Sequence, residues 1–192
     1  MSSDEKIQLV AFSTNDTTDT PNDIINTFLS KHIHSILKQT RHTYGFQTEL
    51  PGTNKQTKIM VYSVLDLQKE YPGIKDINCY IIFIDTEKEE SIQLFNDIIV
   101  YFREYCDNSK KIFVVALETN DFSNPYLNKN DICGKLDENQ LNYEYNNMNL
   151  DDKNNVEEIL LKIFDFSLKN PIRNAGNTIQ HQQGGDKSCN IF

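Results

Sequence analysis

Two uninterrupted apolar runs, Tyr80 to Ile84 and Ile112 to Leu117, constrain the fold of this chain more than any other feature of its sequence. Each is too short for a helix and rich in β-branched residues, and neither shows the polar alternation of a strand with one wet face. They read as strands covered on both sides, which a sheet between two helical layers provides. The segment between them supplies one such helix, because Phe95, Ile98, Ile99, Phe102 and Cys106 recur at helical spacing.

Ile7 to Phe12 is a further short apolar run that ends abruptly in polar residues, as a buried strand does on leaving a sheet. Asp19 or Thr20 can cap a following helix with Pro21 at its first position, and Ile25, Phe28, Leu29, Ile33, Ile36 and Leu37 then form one amphipathic face. Tyr44 to Leu50 and Lys58 to Val64 flank the turn residues Pro51, Gly52, Thr53 and Asn54, which predicts an antiparallel hairpin. Leu141 to Tyr145 is a weaker strand pattern. Asp151 or Asp152 can open a last helix with the stripe Val156, Ile159, Leu160 and Ile163. The order β α β β β α β β α predicts an α/β domain, a six-stranded mostly parallel sheet with one antiparallel edge hairpin and helices on both faces. Such a sheet binds ligands at the carboxyl ends of its strands, in the loops after Phe12, Val64, Leu117 and Tyr145.

At 192 residues and 38% hydrophobic content the chain is expected to form one domain over residues 1–169, followed by a tail over 170–192. Its net charge of −9 argues against nucleic acid and anionic lipid surfaces as partners. Met1 to Lys6 has no apolar signal region and no stretch approaches the ~18 apolar residues of a membrane span, so neither secretion nor a spanning helix is expected. Cys79, Cys106, Cys133 and Cys189 lack paired metal spacing, and the first three read as core or surface thiols. His32 and His34, two apart on the predicted helix, would face different directions and make a poor metal pair. Glu87 to Glu90 and Glu157, Glu158 are expected in first helical turns, where they offset the helix dipole. No residue is assigned a catalytic role and no metal ligand is assigned.

The last four residues, Cys189, Asn190, Ile191 and Phe192, form a prenylation box, and a terminal Phe favours a geranylgeranyl group on Cys189. Pro171 to Ser188 is rich in Asn, Gln, Gly and Ser and reads as a flexible tether spanning roughly 25 Å as a coil. Its cations are Arg173 and Lys187 alone, so the polybasic cluster that would strengthen a single lipid anchor is missing. The expected location is therefore the cytoplasmic face of a membrane, with a cytosolic pool.

The predicted sheet, the single hairpin, the length and the terminal box together resemble a small GTPase of the Ras and Rho type, over roughly residues 7 to 169 and the tail. In that family the first strand runs into GxxxxGK[ST], where glycines let backbone amides wrap phosphates and Lys and a hydroxyl serve phosphate and magnesium. The corresponding stretch here begins at Ala11, Phe12 and Ser13 and reaches Asp16 at the second Gly, Thr17 at the Lys and Thr18 at the magnesium hydroxyl. The hydroxyl alone is kept, and the chain has no Gly before Gly45. DTAGxE is replaced by Ser63, Val64, Leu65, Asp66, Leu67 and Gln68, which removes the residues that hold magnesium and orient water. NKxD resembles Glu118, Thr119, Asn120 and Asp121, keeping the final base-reading Asp, whose structural counterpart is an ordinary turn or cap residue. SAK falls at Asn146, Asn147 and Met148, and both Thr40 and Thr43 can stand for the magnesium-binding Thr of the first switch. The resemblance implies a prenylated pseudoGTPase acting as a protein-binding module, with effectors or regulators as partners. Its alternative is a divergent switch that still binds GTP or GDP with magnesium, using Thr18, Asp121 and backbone amides.

Overall fold

A computed structural model describes residues 5–14, 20–40, 42–53, 55–64, 67, 76–119 and 125–172. In chain order these form β1 (Glu5–Ser13), α1 (Thr20–Leu29), β2 (His34–Thr40), β3 (Thr43–Glu49), β4 (Gln56–Val64), β5 (Cys79–Asp85), α2 (Glu90–Tyr105), β6 (Ile112–Glu118), α3 (Lys129–Glu138), β7 (Tyr143–Asn149) and α4 (Lys153–Lys169). The strands make one mixed sheet in the order β2-β3-β4-β1-β5-β6-β7. Strands β4, β1, β5, β6 and β7 run parallel, while β3 is antiparallel to both of its neighbours.

The α/β class, the mainly parallel sheet and helices on both faces agree with the sequence. One face of the sheet buries Leu9, Phe46, Ile59 and Phe113 beneath α1 and α4, through Phe28, Val156, Ile163 and Phe164. The other buries Val10, Phe12, Tyr80 and Val114 beneath α2 and α3, through Phe95, Phe102, Ile132 and Leu136. Both apolar runs are buried along their length, as strands between two helical layers must be. The β3–β4 turn also follows its residues. Thr53 N–H donates to the Leu50 carbonyl across 3.1 Å, Pro51 takes the first central position and Gly52 the second with φ 80°, the pattern of a type II turn.

Three expectations are corrected. The sheet has seven strands rather than six, because the predicted first helix ends at Leu29 and Ile36 and Leu37 belong to the extra strand β2. Ser30 closes the helix by donating to the Thr27 carbonyl, and pairing with β3 then outweighs the helical spacing of Ile33, Ile36 and Leu37. The antiparallel part is consequently a three-stranded wing, β2-β3-β4, rather than one edge hairpin. A fourth helix, α3, replaces an expected loop. Asn128 caps it by accepting from the Asn130 and Asp131 N–H groups while the Asp131 carboxylate accepts from Asn128 N–H, a capping box written in the sequence.

The carboxylate clusters also act differently from expectation. Glu157 lies in the second turn of α4 and binds Lys31 Nζ at 2.7 Å and His32 Nε2 at 3.0 Å, tying the end of α1 to α4. His32 itself follows α1 and stacks on Phe28 at 4.3 Å between ring centroids. No helix among the described residues is long and apolar enough to cross a membrane.

Candidate functional site

The parallel strands all end on one side of the sheet, and a cleft of about 310 Å³ lies over the ends of β5 and β6 between α1 and α4. Thr20, Asp23, Ile24 and Thr27 of α1 form one wall. Asp85 and Glu87 come from the end of β5 and its turn, Leu117 and Thr119 from the end of β6, and Leu150 and Val156 from the passage between β7 and α4. The position follows from the topology, since β5 and β6 lead to α2 and α3 on one face while β1 and β7, on either side of them, lead to α1 and α4 on the other, which opens a gap over the strand ends.

Hydrogen bonds within the chain hold the rim. The Glu87 carboxylate accepts from Thr119 N–H at 2.8 Å and from the Thr119 hydroxyl at 2.7 Å, joining the turn after β5 to the loop after β6. Thr86 donates to the Leu117 carbonyl at 3.0 Å, beneath the same loop. Asp85 accepts from Glu87 N–H at 3.2 Å and faces Lys88 Nζ at 3.2 Å. Thr14, buried at the end of β1, accepts from Asp85 N–H at 2.9 Å and donates to the Ser91 hydroxyl at 3.0 Å, which fixes β1 to β5 and α2.

Three carboxylates, Asp23, Asp85 and Glu87, line the cleft, and no Lys or Arg lines it among the described residues. The floor is apolar, with Ile24, Leu117 and Val156. Among the described residues no group of three His, Cys, Asp or Glu side chains converges as a metal site. Cys79 and Cys106 offer no nucleophile here either. Burial pushes Cys79 and Cys106 up to about 12, far from the thiolate range at neutral pH.

The sequence-predicted residues scatter over this picture. Ser13 ends β1, pairs with Phe83 in register and does not line the cleft. Thr40 and Thr43 close the β2–β3 hairpin on the carboxyl side of the sheet, outside the cleft lining, with the Thr40 hydroxyl 3.5 Å from the Thr43 carbonyl. Asn146 sits within β7 opposite Val115, where its side-chain oxygen accepts from Lys162 at 2.8 Å. The loop after β7 begins beyond Asn149, so Leu150 rather than Asn146 reaches the cleft. Thr17, Thr18, Asp121 and Cys189 lie outside the described residues.

Sequence reasoning missed Asp23 and assigned Glu87 to a helix dipole. Glu87 precedes α2, whose N-cap is Glu89. A signal for Glu87 existed in its place two residues past the end of β5, the position where a parallel strand hands its chain to a binding rim. No protein-family model matches the chain, and no curated protein matches it.

Proposed function

We propose that the chain is a Ras/Rho-like signalling protein of the pseudoGTPase kind, a protein-binding module held at the cytoplasmic face of a membrane by a geranylgeranyl group on Cys189, with a cytosolic pool. The observation that carries this reading is the charge of the cleft, whose lining among the described residues holds three carboxylates and no Lys or Arg, with Asp85 paired to Lys88 at the rim. Like charges about 4 Å apart repel by roughly 4 kcal/mol at the effective dielectric of a protein surface, so such walls oppose a triphosphate. The connection from Ser13 to Thr20 adds no Gly, Lys or Arg in sequence, which leaves a phosphate without the glycine nest or cation that holds it in P-loop sites. A mainly parallel sheet between helical layers supports the broader resemblance.

The test is the thermal midpoint of the purified full chain with excess magnesium and GTP. We expect it unchanged, whereas a ligand at a hundred times its Kd would stabilise by roughly 2.7 kcal/mol. A magnesium-dependent rise would instead favour a divergent GTP/GDP switch. Membrane attachment is tested separately with Cys189→Ser, which should move the membrane-bound fraction into the cytosol. Unchanged fractionation would remove the lipid anchor from the proposal.

A further inference from the structure

The cleft over the ends of β5 and β6 has the size of a small-ligand site, since its volume of about 310 Å³ stands at the lower end of the roughly 300–1,000 Å³ usual for such clefts. Its floor is apolar, through Ile24, Leu117 and Val156, and its carboxylates stand on separate elements. Asp23 belongs to α1, Asp85 to the end of β5 and Glu87 to the turn beyond it. No Lys or Arg lines the cleft among the described residues, and Lys88 at its rim faces Asp85.

Charge along the chain points the same way. The protein has 28 acidic and 19 basic residues, and the two kinds are unevenly placed. From Ile24 to Thr48 there is no Asp or Glu. Ile7 to Ser30, in contrast, contains Asp16, Asp19 and Asp23 and no Lys or Arg, and Leu117 to Asn128 contains Glu118 and Asp121 and again neither cation. Both segments that contribute walls to the cleft from α1 and from the end of β6 are therefore without basic residues.

The placement of the carboxylates narrows the ligand. Among the described residues no three of them converge on a metal ion, so one small cation cannot gather the set. Glu87 uses Oε1 for both groups of Thr119, and Asp85 uses Oδ1 for Glu87 N–H and Oδ2 for Lys88. Neither then presents the two open oxygens that a guanidinium fork takes up. A neutral apolar ligand would cover these carboxylates without compensating their charge, which is costly. A flexible methylene chain with separated ammonium groups meets both demands, because its apolar segments cover the floor while its charges reach different walls.

We propose that the cleft binds a linear aliphatic polyamine, with methylene segments on Ile24, Leu117 and Val156 and ammonium groups donating to Glu87 on one wall and Asp23 on the other. The inference rests on the reading of this cleft as closed to GTP, and it names a small organic cation as the ligand in place of a nucleotide.

The probe is spermidine, titrated into the purified full chain by calorimetry while the methyl resonances of Ile24, Leu117 and Val156 report the site. We expect saturable binding of one molecule per chain and shifts at those methyls. The neutral diol of the same chain length should bind at least about tenfold more weakly, a comparison that needs no variant. Glu87→Gln, whose amide oxygen can still accept from Thr119, should weaken spermidine by about tenfold. Equal binding of the diol, binding without saturation, or unmoved cleft methyls overturns the inference. So does displacement of spermidine by magnesium at equal concentration, which would assign the cleft to a metal. A capped peptide with a single Lys that binds as tightly as spermidine overturns it too, by assigning the cleft to a partner's side chain. A magnesium-dependent rise in thermal midpoint with GTP removes the reading of a cleft closed to nucleotide, whereas a flat response to GTP with no spermidine binding removes this inference alone.

Discussion

The two halves of the sheet are built on different terms. In the parallel body, β1, β5 and β6 lie between helical layers and bury nearly every side chain. In the antiparallel wing the cover ends at the outer strand: β4 alternates buried and half-buried residues, β3 still buries five of its seven, and β2 buries none. A strand that loses its helical cover must be held by its ladder and by a few side-chain ties, so the wing should be the less stable and more adaptable part. It is also the basic part of an acidic protein, whereas the cleft over the body is lined by carboxylates.

The largest expected effect comes from the body. Phe102 is fully buried and packs edge-on against Tyr80 at 4.6 Å, and Phe102→Ala should cost about 3–5 kcal/mol in urea unfolding. Ile36→Ala on the wing should cost less than about 1 kcal/mol, because its side chain is already half in water. Similar losses at the two positions would break the comparison.

A second test lies inside the wing. A Cβ at Gly45 would come 2.5 Å from Met60 Sδ and 3.4 Å from Lys38 Cβ, so Gly45→Val should destabilise by about 1–3 kcal/mol. Adding Met60→Ala should recover part of that loss, since the nearest obstacle is a flexible side-chain end. A double variant no more stable than Gly45→Val would place the crowding in the backbone instead.

The smallest effect concerns the tie between body and wing. Lys31, by a hydrogen bond, holds the Glu157 carboxyl below its usual value of 4.5, with help from His32. A depressed carboxylate stabilises fully above the unfolded value and loses that contribution as pH falls through the lower folded value. The pair is partly exposed, so the loss should stay within about 1 kcal/mol. Glu157→Gln should flatten stability against pH in the acid range below 4.5 and leave its slope near neutrality unchanged. An unaltered acid slope would show that the tie contributes nothing.

Most of the body was legible because its strands and helices carry their own burial patterns. The runs of β5 and β6 and the stripes of α2 and α4 each name both an element and the face it buries. The α3 capping box at Asn128 and Asp131 was equally local and went unread. The candidate site was less legible. Loop ends set it, and a shift in β7 from the expected Leu141–Tyr145 to Tyr143–Asn149 was enough to exchange Asn146 for Leu150 at the cleft.

The sequence by itself determined the α/β class, the two covered strands, the type II turn at Pro51 and Gly52 and the acid-free stretch from Ile24 to Thr48, because each rests on residue types within one short segment. Tertiary structure alone decided that Ile36 and Leu37 lie in a strand, since their spacing suits a helix and only β3, alongside, offers their backbone a ladder. It also decided that Asp23, Asp85 and Glu87 share one cleft, because α1 and the end of β5 are brought together by the layering of helices on the sheet and not by their distance along the chain.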